Sequence, residues 1–318
     1  MKKVVASIVF IAGVTLFHIA LSSGARFISH FIHRRIIFEG SGSILLSSTL
    51  SFFVEIIVAV IIIAVVIFIT RLRKQSIKET FYLNKTTGKN IGIAILLGVL
   101  IGLISISYNA AAFFSMDSTM IADTVQDPFF MVMVRHTLLS MFTGIIFAAI
   151  PIACRELIYR GAIFFEFRKF LSASRAIILL SILSLIPAIL LTLILGNLSG
   201  FNYYLFGTTV SAIVVSVLIS VTSYILCYKT NSIWVPITTG LIISAFNAIN
   251  AGFQMIFYQN RPLPTNIYEA LANIFNPRAG FPVPRGMPLF VMSLLVLVII
   301  GIIAFILRHL VCKNSKEL

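Results

Sequence analysis

Apolar runs of about 20 residues recur along this 318-residue chain, and each is long enough to cross the hydrocarbon core of a bilayer as a helix. Lipid offers no hydrogen-bond partners to the backbone, so a segment that crosses it must satisfy its own backbone groups. Windows of about 19 residues place eight predicted spans, near Val4–Ser22, Ile44–Thr70, Ile91–Ser107, His136–Ala153, Ala176–Leu195, Leu205–Tyr228, Ile233–Tyr258 and Leu289–Leu307. The sequence therefore predicts an all-α, multi-pass protein of the plasma membrane.

Composition excludes a water-soluble globular domain. Only 11% of the residues are charged and 59% are hydrophobic, whereas a soluble domain carries about 25% charged residues. The net charge of +14 does not indicate nucleic-acid binding, because the basic residues lie between apolar runs and form no zinc, helix-turn-helix or stacking motif. The positive charge instead indicates that the partner of the chain is the lipid bilayer, with its anionic headgroups.

The distribution of Lys and Arg predicts that both ends of the chain are cytoplasmic. With the N-terminus inside, 17 basic residues fall on the inner side of the eight spans and 6 on the outer side. The first apolar run could also be a cleaved signal peptide, but it is longer than the usual apolar region of roughly 7–15 residues, which favours an uncleaved span.

The densest cluster of ionisable groups follows the fourth predicted span and reads Arg155-Glu156-Leu157-Ile158-Tyr159-Arg160-Gly161. Glu156 and Arg160 are four residues apart and therefore share a helix face. Gly161 would allow a neighbouring helix to approach closely. Ionisable groups at membrane depth are costly and commonly functional, although an ion pair that ends a span would give the same spacing.

This segment resembles the first motif of the CPBP (Abi) family of CAAX proteases and bacteriocin-processing membrane proteins, whose usual form is Glu-Glu-x-x-x-Arg followed by Gly. A second match, Ser232-Ile-Trp-Val-Pro-Ile, is similar to the segment that leads into the family's last motif. The resemblance covers roughly residues 129–257 as a core of four spans. It leaves 1–128 as three N-terminal spans with a basic loop, and 258–318 as a Pro-rich outer loop, the eighth span and a tail.

The resemblance implies an intramembrane protease in which Glu and His residues activate water or bind a metal that does so. The first motif Glu falls on Arg155, whereas Glu156 and Arg160 match the second Glu and the Arg. The second motif should lie within Ile177–Leu191, which contains no His. In the third motif the His falls on Gly240 and the Asn or Asp on Ser244, with Asn247 one turn late.

All five histidines lie outside the two later motifs, and a guanidinium cannot act as a base at physiological pH. We therefore expect a non-catalytic member of the family without a cofactor, which binds or regulates another membrane protein as a scaffold, regulator or immunity factor. One alternative is an active protease with displaced catalytic residues, which would use zinc or another divalent metal. A transporter is the other alternative. The sequence leaves the partner and the oligomeric state open.

Two polar residues are candidates for an intramembrane cavity, Glu55 in the second predicted span and Asn247 in the seventh. A lone carboxylate inside a span is costly. Three explanations stay open for Glu55: it is protonated, it pairs with Arg155 or Arg135, or it faces a polar cavity.

Overall fold

The computed structural model describes residues 2–38, 44–114, 138, 145–146, 148–183, 203–259 and 286–313. Within these ranges the chain is helical, and its only extended pairing is an isolated bridge between Leu83 and Ser232. The prediction of an all-α protein is confirmed for this part of the chain. The backbone is helical because a helix satisfies its own backbone hydrogen bonds, for which lipid offers no partners.

The first half of the described chain contains two long helices, a basic loop and a third long helix. Helix α1 covers Lys2–Phe38 and α2 covers Ile44–Leu72. The loop holds one helical turn, α3, at Ile77–Thr80. Helix α4 then covers Gly88–Phe114.

The second half begins with α5, which covers residues 148–167 and contains a π-helical segment, Leu157–Ile163. A short helix, α6, follows at Ala173–Leu183. Helix α7 covers Tyr203–Thr230, α8 covers Trp234–Gln259 and α9 covers Gly286–Lys313.

Five of the described helices are long and apolar enough to cross a membrane, through Val4–Leu21, Phe53–Leu72, Gly88–Ser107, Ile213–Thr230 and Phe290–Leu310. They correspond to the first, second, third, sixth and eighth predicted spans. The fourth and fifth predicted spans lie partly outside the described residues. In α8 the side chains are described for Trp234–Ile249, which is an apolar stretch. The structure thus supports a membrane protein with five candidate spans.

Helix α5 continues past Ala153, where the fourth predicted span ends, to Phe167. A hydropathy window stops at the charged groups Arg155, Glu156 and Arg160. In the folded chain Glu156 and Arg160 are buried against one another, so the helix continues through them.

The helices pack into two groups with separate apolar cores. Helices α1 and α2 form a hairpin that packs on α5, around buried residues that include Val14, Val66 and Ile158. Helices α4, α7, α8 and α9 form the other group, with Ile101 and Ile303 in its core. Contacts between α5 and α7 join the groups, and the Phe164 and Tyr224 rings lie 5.4 Å apart at this junction.

Helices α4 and α8 approach closely because two glycines, Gly98 and Gly102, lie one turn apart on α4. A Cβ atom at Gly102 would lie 2.3 Å from ring carbons of Phe246, and one at Gly98 would lie 2.8 Å from Cβ of Ile242. Lipid supplies no hydrophobic drive for helices to associate, so small residues that allow tight packing decide which faces meet. This contact was not predicted from the sequence, although the spacing Gly-x-x-x-Gly is a signal for it.

Replacing Gly102 by alanine is expected to lower the free energy of unfolding by about 2 kcal/mol, because the added methyl group overpacks a tight interface. The change should be measured by denaturant unfolding in detergent micelles. Gly92 on the same helix is the matched control, because a Cβ there meets nothing within 4 Å. If the two alanine variants lost the same stability, the close packing at Gly102 would not be the cause.

A buried carboxylate joins α1, α2 and α5 at the end of the bundle nearest the N-terminus. Glu166 is fully buried and accepts hydrogen bonds from Ser7 Oγ at 2.5 Å and from Gln75 Nε2 at 3.0 Å. It also forms ion pairs with Arg73, at 3.1 Å, and with Lys169. Four partners from three parts of the chain therefore fix the C-terminal end of α5, and with it the charged groups higher on the same helix.

Burial by itself would raise the pKa of the Glu166 carboxyl. The hydrogen bonds from Lys169, Ser7 and Gln75 outweigh burial and hold that pKa below its ordinary value of 4.5. The carboxylate is therefore the charged form that the fold stabilises.

The basic loop between α2 and α4 is hydrogen-bonded to the turn between α7 and α8. Backbone N–H of Ile233 donates to the carbonyl of Tyr82 at 3.0 Å, and Ser232 Oγ donates to the carbonyl of Asn84 at 2.9 Å. Phe81 in this loop packs against Gly161, where a Cβ atom would lie 3.1 Å from Cα of Phe81. The close neighbour of Gly161 is thus a loop, and the expectation of a neighbouring helix is wrong.

Candidate functional site

A cavity of about 250 Å³ lies between α1, α2 and α5. Its polar wall consists of His18 from α1, Glu55 from α2, and Cys154 and Arg155 from α5. The rest of the lining is apolar or small. Three groups that can carry charge therefore reach one cavity from three helices, although they are far apart in sequence. Such groups inside a membrane bundle commonly mark a functional site.

His18 is oriented by Tyr159 of the π-helical segment. The Tyr159 hydroxyl and His18 Nδ1 are 2.9 Å apart, and the two rings are in edge-to-face contact at 5.2 Å. Which atom donates depends on the tautomer of the imidazole. Because Tyr159 belongs to the same segment as Glu156 and Arg160, this contact links α1 to the motif on α5.

Glu55 lies on the cavity wall with an exposed side chain. Among the described residues it makes no ion pair within 4.0 Å, so the predicted pairing with Arg155 is not formed, although both residues line the same cavity. Arg135, the other partner considered, lies outside the described residues. Of the three explanations for Glu55, the structure agrees with a polar cavity. Glu55 lies well inside α2, which covers Ile44–Leu72.

The charged motif on α5 is a chain of three groups. Arg155 Nη2 lies 3.4 Å from Glu156 Oε1, and Arg160 Nε lies 3.2 Å from Glu156 Oε2. Neither Glu156 Oε2 nor Arg160 Nε has a hydrogen bond of good geometry, so their contact is mainly electrostatic. Glu156 is fully buried, whereas 45% of the Arg155 side chain is exposed toward the cavity.

The π-helical segment gives Arg160 two further contacts with α7. Its guanidinium carbon lies 4.9 Å from the centre of the Tyr224 ring, and its backbone carbonyl accepts a hydrogen bond from Cys227 Sγ at 3.5 Å. π-Helical turns leave carbonyl groups free and recur at functional sites. Cys227 and Cys154 are both buried free thiols, whereas the side chain of Cys312 lies outside the described residues.

Two positions of the family motifs face one another. A Cβ atom at Gly240 on α8 would lie 3.9 Å from Arg155 Nη2 and 2.9 Å from Ile152 Cγ2. Position 240 is where the resemblance places a His, and position 155 is where it places the first Glu. Here the long Arg155 side chain extends toward a glycine that has no side chain.

The other predicted site residues lie apart from the cavity lining. Ser244 Oγ is buried and has no hydrogen-bond partner among the described residues. Asn247 Oδ1 accepts a hydrogen bond from Ser105 Oγ of α4 at 3.3 Å and so contributes to the contact between α4 and α8. Of the second-motif region 177–191, the structure describes only residues 177–183.

The sequence patterns did not predict that His18 and Tyr159 belong to this site or that Glu166 is a shared buried acceptor. A histidine inside an apolar run was the available signal for His18, but nothing in the sequence links it to α5. Within the described residues, no group of three His, Cys, Asp or Glu side chains converges in a geometry that could hold a metal ion.

Comparison with known proteins adds no relative. No protein-family model matches this chain, and neither the curated proteins nor the solved structures contain a significant match. The physical features of the chain are therefore the basis for a functional proposal.

Proposed function

We propose that this chain is a non-catalytic membrane protein of the CPBP type that acts by binding another membrane protein. The observation that carries the proposal is the position of Arg155. Its guanidinium lies against Glu156 on one side and beside Gly240 on the other. A guanidinium cannot take a proton from water, and glycine offers no ligand or proton carrier.

The surviving motif residues support a structural role. Glu156 is fully buried and is shared between Arg155 and Arg160, so its oxygens already face cations. A general base needs access to the water that it activates, and Glu156 has none. In this proposal the pair holds α5 in shape, while the partner binds to another surface of the bundle.

The second candidate is a hydrolase with displaced catalytic groups, and one observation favours it. His18 and Glu55 line a cavity that Arg155 also reaches. An imidazole and a carboxylate could act as proton carriers, and the guanidinium could stabilise an oxyanion. These three residues would then replace the groups that the motifs lack.

Peptidase turnover and metal content, measured on purified chain in nanodiscs, separate the two candidates. We expect no cleavage of membrane peptides above that of a heat-denatured sample, and no stoichiometric transition metal. The sample must first show a cooperative unfolding transition. Turnover that His18→Gln or Glu55→Gln removes, while Glu79→Gln on the exposed loop retains it, would replace the first candidate by the second.

Partner binding itself is tested by photo-crosslinking in cells, with photoreactive residues placed on the exposed faces of α2 and α9. Phe68 and Phe305 are suitable positions, because 61% and 71% of their surfaces are exposed. We expect adducts with one protein from one of these faces. A folded chain that forms no protein adduct from either face would contradict a binding role.

A further inference from the structure

Two connections between helices meet at one end of the bundle. Helix α2 ends at Leu72 and α4 begins at Gly88, whereas α7 ends at Thr230 and α8 begins at Trp234. The chain is described on both sides of each of these positions, so the helices themselves end there. Three candidate spans begin or end at the same level, Phe53–Leu72, Gly88–Ser107 and Ile213–Thr230. The two connections therefore lie where the hydrocarbon of a bilayer meets its headgroups.

An exposed tryptophan marks the same level independently of hydropathy. Trp234 is the only tryptophan in the chain, it is the first residue of α8, and 48% of its surface is exposed. Tryptophan is enriched at the boundary between membrane and water, because its ring is apolar and its N–H is polar. The preceding residue, Ile233, bonds to the loop through Tyr82, so the ring lies beside the connection between α2 and α4.

Arg168 follows the last residue of α5 and is held at this end by two tyrosines. Its guanidinium carbon lies 4.6 Å from the centre of the Tyr228 ring on α7, and the guanidinium donates a hydrogen bond to the hydroxyl of Tyr82 in the loop. Burial raises the pKa of Tyr82 to about 12, so this hydroxyl is neutral at physiological pH. Among the described residues Arg168 makes no ion pair within 4.0 Å, and its side chain is exposed. The structure thus fixes a guanidinium without a carboxylate to balance it.

The surface around Arg168 is strongly basic. Exposed Lys and Arg side chains from the loop and from the segment after α5 form it, and we call them the basic surface: Arg71, Lys74, Lys78, Lys85, Lys89, Arg168, Lys169 and Arg175. The Lys229 ammonium also lies 5.6 Å from the centre of the Tyr228 ring. Of the described carboxylates at this end, Glu166 is buried among its own partners and Glu79 is exposed. The excess of positive charge therefore fits an anion.

We propose that Arg168 and the basic surface bind the phosphate of an anionic phospholipid. The planar guanidinium matches two phosphate oxygens, and the surrounding lysines add attraction to the negative headgroup. A zwitterionic headgroup carries its own ammonium, which these lysines repel. Leu72 and Trp234, 65% and 48% exposed, would contact the apolar part of the lipid below the phosphate. This is a defined site and not only the diffuse attraction of basic loops, and it is independent of whether the chain binds a protein partner.

The test is a titration of the full chain in neutral detergent with phosphatidylglycerol or phosphatidylcholine of the same acyl chains, read by native mass spectrometry. Phosphatidylglycerol should bind with a Kd about tenfold lower, a difference of about 1.4 kcal/mol. Equal binding of the two lipids would overturn the proposal. Glycerophosphoglycerol, which lacks acyl chains, should not displace the lipid at equal concentration, and displacement would show that the site takes a free phosphate ester. If a glutamate-rich peptide bound more tightly than the lipid, an acidic protein would replace the lipid as the occupant.

Two matched variants assign the preference to Arg168. Arg168→Gln should remove most of the difference between the two lipids, because it removes the guanidinium that is held by the tyrosines. Arg175→Gln removes another exposed cation of the basic surface and should retain most of the difference. The comparison between lipids is made within each variant, so a change in general stability affects both titrations equally. Equal losses in the two variants would show that the attraction is diffuse, and would overturn a site at Arg168.

Discussion

Replacing Glu156 by leucine is expected to lower the free energy of unfolding by about 4 kcal/mol, because it leaves the buried guanidinium of Arg160 without its partner. Only 8% of the Arg160 side chain is exposed, so it cannot turn to water for compensation. The loss of the carboxylate also leaves Arg155 and Arg160 as like charges on one helix. Denaturant unfolding in micelles and the abundance of the chain in cells both measure the effect.

The double variant with Glu156→Leu and Arg160→Met is the control for this expectation. Replacing both members of a buried pair by apolar side chains removes the uncompensated charge, and such replacements are often neutral. The double variant should therefore regain about half or more of the lost stability. If the double variant were as unstable as Glu156→Leu, the pair would stabilise the fold through the packing of its side chains and not through their charges. Loss of a proteolytic product at normal abundance would instead indicate a catalytic Glu156.

Replacing Glu166 by alanine is expected to lower the free energy of unfolding by about 3 kcal/mol. The carboxylate is fully buried, and its loss removes the acceptor shared by Ser7, Arg73, Gln75 and Lys169. The effect should lie at the lower end of the range for a broken buried pair, because Arg73 and Lys169 are 23% and 36% exposed and can reach water. Glu79→Ala, in an exposed helical turn, should change stability by less than about 0.5 kcal/mol.

The dependence of stability on pH gives a second measurement of the Glu166 cluster. The pKa of this carboxyl is lower in the folded chain than its ordinary value of 4.5. The unfolded chain then binds the proton more readily, so the stabilisation is present above pH 4.5 and is lost as the pH falls through the folded pKa. The difference in stability between the wild-type chain and Glu166→Gln should therefore shrink below about pH 4.5. A difference that is constant from pH 7 to pH 3 would contradict the assignment.

The sequence by itself determined the class of protein and several of its helices. A run of about 20 apolar residues has few structural options in lipid, since the backbone must satisfy its own hydrogen bonds. Five candidate spans follow the predicted ones for this reason. The spacing of Glu156 and Arg160 also predicted their ion pair, because residues four apart on a helix are neighbours whatever surrounds them.

Hydropathy alone carries no information about charged residues that compensate one another inside a helix. Hydropathy scores Arg155, Glu156 and Arg160 as separate costs, so it ended the fourth span at Ala153. In the fold the Glu156 carboxylate lies between the two guanidinium groups, and α5 continues to Phe167. Whether a charge is expensive in a membrane depends on its neighbours in space, and a window of sequence does not contain them.

Only the tertiary structure decided which residues line the cavity and which residues surround the buried Glu166 carboxylate. His18, Glu55 and Arg155 meet because α1 and α2 pack on α5, and Glu166 collects partners from positions as distant as Ser7. Because all lipid-facing surfaces are similarly apolar, hydropathy does not predict which faces of two helices pack together. Close packing at small residues and the pairing of buried polar groups make that choice, and both depend on contacts between segments far apart in the chain.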